Sequence, residues 1–348
     1  MSEYLVSRVY VSDKRANSEI EKLLFQEGIR RDKNLDYTCA VYDENYNVIA
    51  TGSCFGNTLR CMAVSHEHQG EGLMNEVVSH LIQYEYNRKI NHLFLYTKCN
   101  SAKFFGDLGF HEIVRIENQI VFMENRRTGF SDYLNQLAET KTEGNKIAAL
   151  VLNANPFTLG HLYLVEKAAA ENDFLHVFMV SEDASLVPFE IRRKLIMEGA
   201  AHLKNLIYHD TGPYIISSAT FPSYFQKDDS AVIESHANLD LSIFIRIAEV
   251  LGINSRYVGE EPKSLVTGIY NKIMSEKLPE NGIECVIVPR KEADGEIISA
   301  SNVRQAIKNG ELEKIKNLVP TSTYNFFSSP EAESVIKKIR AADNVIHY

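Results

Sequence analysis

Thr158, Leu159, Gly160 and His161 occupy a turn between an apolar run, IAALVLN, and an apolar-periodic stretch, HLYLVEKAAAE. A strand feeding a helix there aims the helix's unpaired N–H groups and positive dipole end beyond the strand, which suits phosphate. Gly160 leaves that approach unobstructed, Thr158 adds a hydroxyl donor, and Asn155 and Pro156 stiffen the turn. His161, in the first helical turn, is placed to donate a hydrogen bond to charge developing on a phosphoryl oxygen during displacement. The plainer alternative is a solvated histidine in an ordinary strand-to-helix turn.

The elements that must position this turn follow from periodicity. Downstream of residue 146, FLHVFMVS, NLIYHD, SRYVGE and ECVIVP read as further buried strands, alternating with the helical stretches FEIRRKLIMEGAAHL, LDLSIFIRIAEVL and SLVTGIYNKIMSE. That alternation predicts a doubly wound α/β domain over residues 146–348, helical from Ser301 onward, with its ligand beyond the carboxyl ends of the strands. Residues 128–145 are polar, carry Gly129 and Gly144, and read as a linker with room for one short helix. Upstream, residues 1–127 read as an α+β domain. The strands YTCAVYD, NVIATGSCF, LRCMAVS, HLFLYTK and FHEIVRI surround a helix on which Leu73, Val77, Leu81 and Tyr84 recur at helical spacing. The chain's 348 residues suit two such domains.

Composition sets the bounds. Apolar and charged fractions of 45% and 24% are those of a globular protein, and no stretch approaches the ~20 apolar residues of a membrane span. The start of the chain lacks a basic segment followed by an apolar run, so the expected location is the cytoplasm. Five cysteines without a C-x-x-C pair argue against a disulfide framework or a zinc site. A net charge of −9 disfavours nucleic acid as a partner while leaving room for a local pocket for a polyphosphate.

The T-x-G-H turn after the first strand of an α/β domain resembles the (H/T)-x-G-H signature of the nucleotidylyltransferase superfamily, a HIGH-type Rossmann-like fold. That resemblance implies a second motif, and ISASNVR supplies it: Ile298, Ser299, Ser301 and Arg304 resemble I-S-x-[ST]-x-x-R. Ser301 at a helix cap and Arg304 one turn later can clamp the β- and γ-phosphates from the side opposite His161. The stretches VLNANPFTLGH, VPFEIR, SATFPSYF, VGEEPKSLVTGIYNKIM and ISASNVR together resemble the citrate lyase ligase family. The resemblance implies an acid–thiol ligase. With ATP and Mg²⁺ it converts acetate to an acetyl-adenylate and passes the acetyl group to the thiol of the dephospho-CoA-type prosthetic group on citrate lyase acyl carrier protein. AMP and diphosphate are released. It implies His161, Thr158 and Arg304 as catalytic residues. It implies nucleotide contacts from Asn153, Asn155, Pro156, Phe157, Gly160, Gly259, Glu260, Ser299, Ser301 and Arg192, the last preferred over Arg193. The loop SEDASLVPF has no lysine to hold an acceptor phosphate, which leaves either an acceptor phosphate held elsewhere or a small carboxylate acceptor.

In the first domain, LRCMAVSHEHQGEGLMNEVVSHLI resembles the acetyl-CoA motif of GNAT-type acetyltransferases, with Met74 in place of the signature's last small residue. Gln69, Gly70 and Gly72 then wrap a pyrophosphate at a helix start, Tyr96 and His66 are the candidate proton carriers, and the domain offers a groove for a CoA-like group. Three alternatives stay open: an adenylyltransferase acting on a phosphate ester, a GNAT N-acetyltransferase with a nucleotide-sensing second half, and a silent scaffold on a carrier complex.

Overall fold

In the computed structural model, which describes residues 4–32, 34–215, 221, 229–260, 265–293 and 296–345, the chain divides into two units. The first comprises Met1–Asp132 and Pro222–Leu239, and the second Tyr133–Phe221 and Asp240–Tyr348. Grouping residues 222–239 with the first unit is at odds with an unbroken second domain from residue 146, and the expected linker is largely a helix, Gly129–Ala138.

The first unit is a seven-stranded sheet. In chain order its strands are β1 (Val6–Arg8), β2 (Tyr37–Tyr42), β3 (Val48–Phe55), β4 (Thr58–Val64), β5 (Phe94–Thr97), β6 (His111–Ile116) and β7 (Ile120–Glu124), arranged β1-β2-β3-β4-β5-β7-β6. Its helices are α1 (Lys14–Gln26), α2 (Leu73–Asn87) and α3 (Ala102–Asp107). All strand pairs are antiparallel except β4 with β5, whose parallel register holds only at Thr58↔Phe94 and Leu59↔Leu95. Beyond those two pairs the strands part. Helix α2 buries Leu73, Val77, Val78 and Leu81 against this sheet. It can do so because Gly52 has no side chain: a Cβ there would meet Val77 Cγ1 at 2.5 Å and Leu81 Cδ1 at 2.9 Å.

After α4 (Gly129–Ala138), the second unit runs β8 (Ile147–Leu152), α5 (Leu159–Glu171), β9 (Phe174–Met179), α6 (Phe189–Gly199) and β10 (Leu206–Asp210). It continues with α7 (Asp229–Leu251), β11 (Ser255–Gly259), α8 (Leu265–Glu280) and β12 (Glu284–Val288). A short hairpin, β13 (Glu292–Ala293) with β14 (Glu296–Ile297), leads to α9 (Ala300–Lys308), α10 (Thr321–Phe327) and α11 (Glu333–Ala341). The five long strands form a parallel sheet, β10-β9-β8-β11-β12, so the direction of winding reverses at β8. There β8 pairs with β11 only at Ser255↔Ala148 and Arg256↔Ala149, and the strands diverge toward their carboxyl ends, where an open α/β sheet binds ligands. The core is made by the strand residues Leu150, Leu152, Val177 and Met179 with Val165, Leu195, Ile196, Val303 and Phe327 from the helices. Architecture in both units follows the expected classes, α+β and α/β. Among the described residues no helix is long and apolar enough to cross a membrane.

Candidate active site

Strand β8 ends at Leu152, and the chain turns before α5 begins. Within that turn Ala154 sits at φ 47°, a left-handed conformation that costs a non-glycine residue on the order of 1 kcal/mol. Two buried arginines hold it from either side. Arg192 Nη1 donates to the Asn153 carbonyl at 2.9 Å and to Asn153 Oδ1 at 3.0 Å, while Arg304 Nη1 donates to the Asn155 carbonyl at 2.5 Å. Asn155 Oδ1 accepts the Val187 N–H at 3.0 Å. Its Nδ2 is buried and, among the described residues, has no hydrogen-bond partner.

Thr158 caps α5, and His161 closes the cap. Thr158 Oγ1 accepts the His161 N–H at 3.3 Å, and His161 Nδ1 accepts the Thr158 N–H at 3.1 Å. An amide can only donate, so Nδ1 is the acceptor and the neutral ring carries its proton on Nε2. Burial, then the positive charges of Arg290 and Arg304, push the His161 pKa down to about 4. The result is an uncharged N–H donor fixed at a helix N-terminus, stacked on Phe157 with ring centroids 5.9 Å apart.

Several residues expected to touch nucleotide also hold this turn. Thr158 is 1% exposed, and its hydroxyl is engaged with His161 at 2.9 Å from Nδ1, so it positions the histidine. Phe157 is wholly buried against Gly199 and beneath the imidazole. Pro156 is buried as well. Gly160 answers to a neighbouring segment: a Cβ there would lie 3.0 Å from the Ile298 carbonyl oxygen, so the absent side chain admits the second motif. Arg192 is buried completely. Besides Asn153 it donates to the carbonyls of Val187 (2.9 Å), Val180 (2.8 Å) and Glu182 (2.6 Å), which makes it the brace of the loop after β9. In that loop Asp183 caps α6 through the Phe189 N–H at 2.6 Å, Ser185 meets the Asn153 side chain, and Lys338 of α11 donates to the Ser185 carbonyl at 2.9 Å.

The second motif abuts the first. Ser299, not Ser301, is the cap of α9 and accepts the Asn302 N–H at 3.1 Å. Ser301 lies inside the helix and accepts from Arg304 Nη2 at 3.2 Å. Arg304 is 2% exposed, and it also donates to the Asn155 carbonyl and, at 2.7 Å, to the Val345 carbonyl. Burial lowers its pKa to about 10, which leaves it cationic at neutral pH. It therefore ties the two motifs together and contributes its field, while its donors meet protein oxygens. Gly259 ends β11 and Glu260 follows it, at the carboxyl end of the sheet. The space around Gly259 is open, Asn271 Nδ2 donates to its carbonyl at 3.3 Å, and the Glu260 side chain is exposed. SATFPSYF apart from Phe221, and residues 261–264, lie outside the described residues.

Sequence reasoning missed Arg290. It lies two residues beyond β12, donates through Nε to the Glu260 carbonyl at 2.7 Å, and, after burial, adds its positive charge to that of Arg304 in lowering the His161 pKa. The available signal was its place: a basic residue just past the last parallel strand falls on the ligand side of the sheet.

Gln69, Gly70 and Gly72 lie together in the first unit. Where β4 and β5 part, a cleft of ≈ 780 Å³ opens, lined by these three residues with Tyr96, Lys98 and Phe104 among others. Gly70 and Gly72 sit at φ 91° and 83° with nothing within 4 Å of an added Cβ, so backbone at the start of α2 is open to a ligand. His68 lines the cleft, where sequence reasoning had pointed to His66.

Comparison with known proteins shows what the chain is similar to. Residues 147–327 match the family described as the citrate lyase ligase C-terminal domain. The chain is 35% identical over 321 residues to a [citrate [pro-3S]-lyase] ligase of Haemophilus influenzae, covering 90% of this chain and 96% of the relative. It is 36% identical over 331 residues to one of Escherichia coli, covering 93% and 94%. Among solved structures, a GNAT-family acetyltransferase from Staphylococcus aureus Mu50 aligns with 35% of this chain and 99% of its own at 14% identity, with a TM-score of 0.30. On the family match and the near full-length identity, this chain belongs to the citrate lyase ligase family.

Proposed function

We propose that this ligase activates citrate lyase by acetylating the thiol of the CoA-like prosthetic group on the lyase's acyl carrier protein, using ATP and acetate. A carboxylate oxygen of acetate attacks the α-phosphorus, the bond to the leaving diphosphate breaks, and acetyl-adenylate forms. The thiol sulfur then attacks the acetyl carbon, AMP departs with the C–O bonding pair, and the thiol proton passes to solvent.

The observation that carries the reading is the neutral His161, locked by Thr158 with Nε2–H as its donor at the start of α5. Acetate is a weak nucleophile, so catalysis here is positioning and stabilisation of charge on phosphoryl oxygens, which a fixed N–H donor and a helix N-terminus supply. The buried Nδ2 of Asn155, which has no partner among the described residues, and the open space at Gly259 fit a polar ligand at this end of the sheet. Mg²⁺ bridging phosphates asks little of the protein. Among the described residues no three histidine, cysteine or carboxylate groups converge to cage it. In the first unit, the open glycine backbone of the cleft with Lys98 suits the pyrophosphate of a CoA-like arm.

The test incubates full-length enzyme with ATP, Mg²⁺, acetate and deacetylated carrier, and follows thioester on the carrier together with AMP. Both should appear in equal amounts. In Lys98→Ala the KM for carrier should rise on the order of tenfold with acetate-dependent ATP–diphosphate exchange intact. ADP in place of AMP, or acetylation driven by acetyl-CoA without ATP cleavage, would contradict the reading.

A further inference from the structure

We infer that Lys338 of α11 is a positioning residue for the turn that carries His161, part of a C-terminal stretch, Glu333–Val345, that clamps this turn at both ends. The inference rests on the reading of the turn as the catalytic one and adds a segment that neither sequence motif contains.

The turn needs holding. Ala154 keeps its left-handed conformation, φ 47°, at 3% exposure. A backbone step of that kind persists only where its surroundings over-determine it. Asn153 precedes it and Asn155 follows it, and from Asn155 the chain runs through Pro156 and Phe157 to Thr158 and His161. What fixes the two asparagines therefore helps to fix where the imidazole stands.

On the Asn153 side the tie runs through the loop after β9. That loop is at least partly exposed from Ser181 to Ala184 and enters the interior at Ser185. There Lys338 Nζ donates to the Ser185 carbonyl at 2.9 Å. The Ser185 hydroxyl in turn accepts from Asn153 Nδ2 at 3.2 Å and lies 3.3 Å from Asn153 Oδ1. Arg192 binds the same loop to the same asparagine, so loop and turn form one piece, and the Lys338 ammonium joins that piece to α11. An ammonium donating to a carbonyl makes a charge-assisted bond, the stronger kind.

On the Asn155 side the tie runs through α9. Arg304 Nη1 donates to the Asn155 carbonyl at 2.5 Å, and its Nε donates to the Val345 carbonyl at 2.7 Å. Lys308, one turn further along α9, donates to the carbonyls of Ala342 and Asp343 at 2.5 and 3.3 Å. Val335, Ile339 and Val345 are buried in the same core as Val303 and Ile307 of α9, so apolar packing seats the stretch. Lys338 itself is exposed. Its contribution is the contact with the loop, and replacing it opens no cavity.

The experiment compares full-length wild type with Lys338→Met, Lys338→Arg, Ser185→Ala and the double variant Lys338→Met/Ser185→Ala. Exchange of labelled diphosphate into ATP in the presence of acetate gives kcat and KM, calorimetry gives ATP affinity, and melting temperature checks folding. A misplacement of about 1 Å slows chemistry more than it weakens binding, so in Lys338→Met kcat should fall roughly tenfold with KM for ATP and ATP affinity within about twofold of wild type. Melting temperature should be unchanged. Lys338→Arg keeps a cationic donor and should recover most of the loss. In the Ser185→Ala background Lys338→Met should cost clearly less, because the hydroxyl through which it acts is already gone. Wild-type kcat in Lys338→Met overturns the assignment and leaves the ATP reading standing. A loss that follows a fall in melting temperature, that Lys338→Arg does not recover, or that is undiminished in the Ser185→Ala background overturns it as well. If wild type shows no acetate-dependent exchange, the ATP reading fails and this inference with it.

Discussion

At the scale of single residues, the site turns on which side chains reach a ligand and which hold those that do. His161 is uncharged, because Nδ1 is an acceptor in the cap and a pKa of about 4 keeps the ring neutral through physiological pH. The sign of the linkage follows. Relative to the ordinary 6.5, the folded pKa is lowered, so below pH 6.5 the unfolded chain takes a proton that the folded chain refuses until about pH 4. Stability from this group is complete above pH 6.5 and is lost as pH falls toward 4. Comparing wild type with His161→Gln by denaturant unfolding isolates it from the buried His176–His209 pair, which burial also holds below the ordinary histidine range. Between pH 7 and 5 the stability of wild type should drop relative to the variant by about 1–2 kcal/mol, whereas an unchanged difference would mean that the ring is charged or exposed. The sequence made the residue types of this turn legible: His161, Thr158, Gly160, Ser299 and Arg304 all lie at the junction of two motifs. It did not reveal their division of labour. Spacing says that Thr158 and Arg304 are near the site, but only packing shows that their polar groups meet His161, Asn155 and Val345.

At the scale of elements, two helix starts are brought together by a missing side chain and a buried cation. Gly160 lets the Ile298 carbonyl approach α5, and Arg304 reaches from α9 to the turn after β8. In Gly160→Ala a methyl group 3.0 Å from that carbonyl forces the two motifs apart. The expected cost is about 1–2 kcal/mol of stability and on the order of a tenfold fall in kcat for acetate-dependent exchange. Thermal melts and exchange kinetics on the same preparation check both, and wild-type values would show that the close approach is unimportant. Strands and helices with strong periodicity, such as β8, β9, β11, β12, α2 and α5, were readable because each buries a continuous apolar face. Strand β1, with three residues, is too short for a period to show. Helix α1 carried a usable signal that went unread: Asp13 as cap, then Ala16, Ile20, Leu23 and Leu24 at helical spacing.

At the scale of the whole molecule, an α/β unit whose strands diverge at their carboxyl ends and an α+β unit with an open glycine-lined cleft share one chain, and the proposed reading assigns ATP to the first and the CoA-like arm of a thiol carrier to the second. The alternation of elements announced the two architectures. The grouping of residues 222–239 with the first unit was hidden, since it depends on pairings between distant parts of the chain that no local period encodes. The central claim is that His161 and its partners promote attack of a carboxylate on the α-phosphorus of ATP. The most direct measurement is exchange of labelled diphosphate into ATP by the full-length protein, with acetate present, omitted, or replaced by phosphopantetheine or nicotinamide mononucleotide. The account predicts exchange only with acetate, reduced on the order of a hundredfold or more in His161→Ala with little change in ATP affinity. Exchange that ignores acetate and follows a phosphate ester, or full activity in His161→Ala, would contradict it.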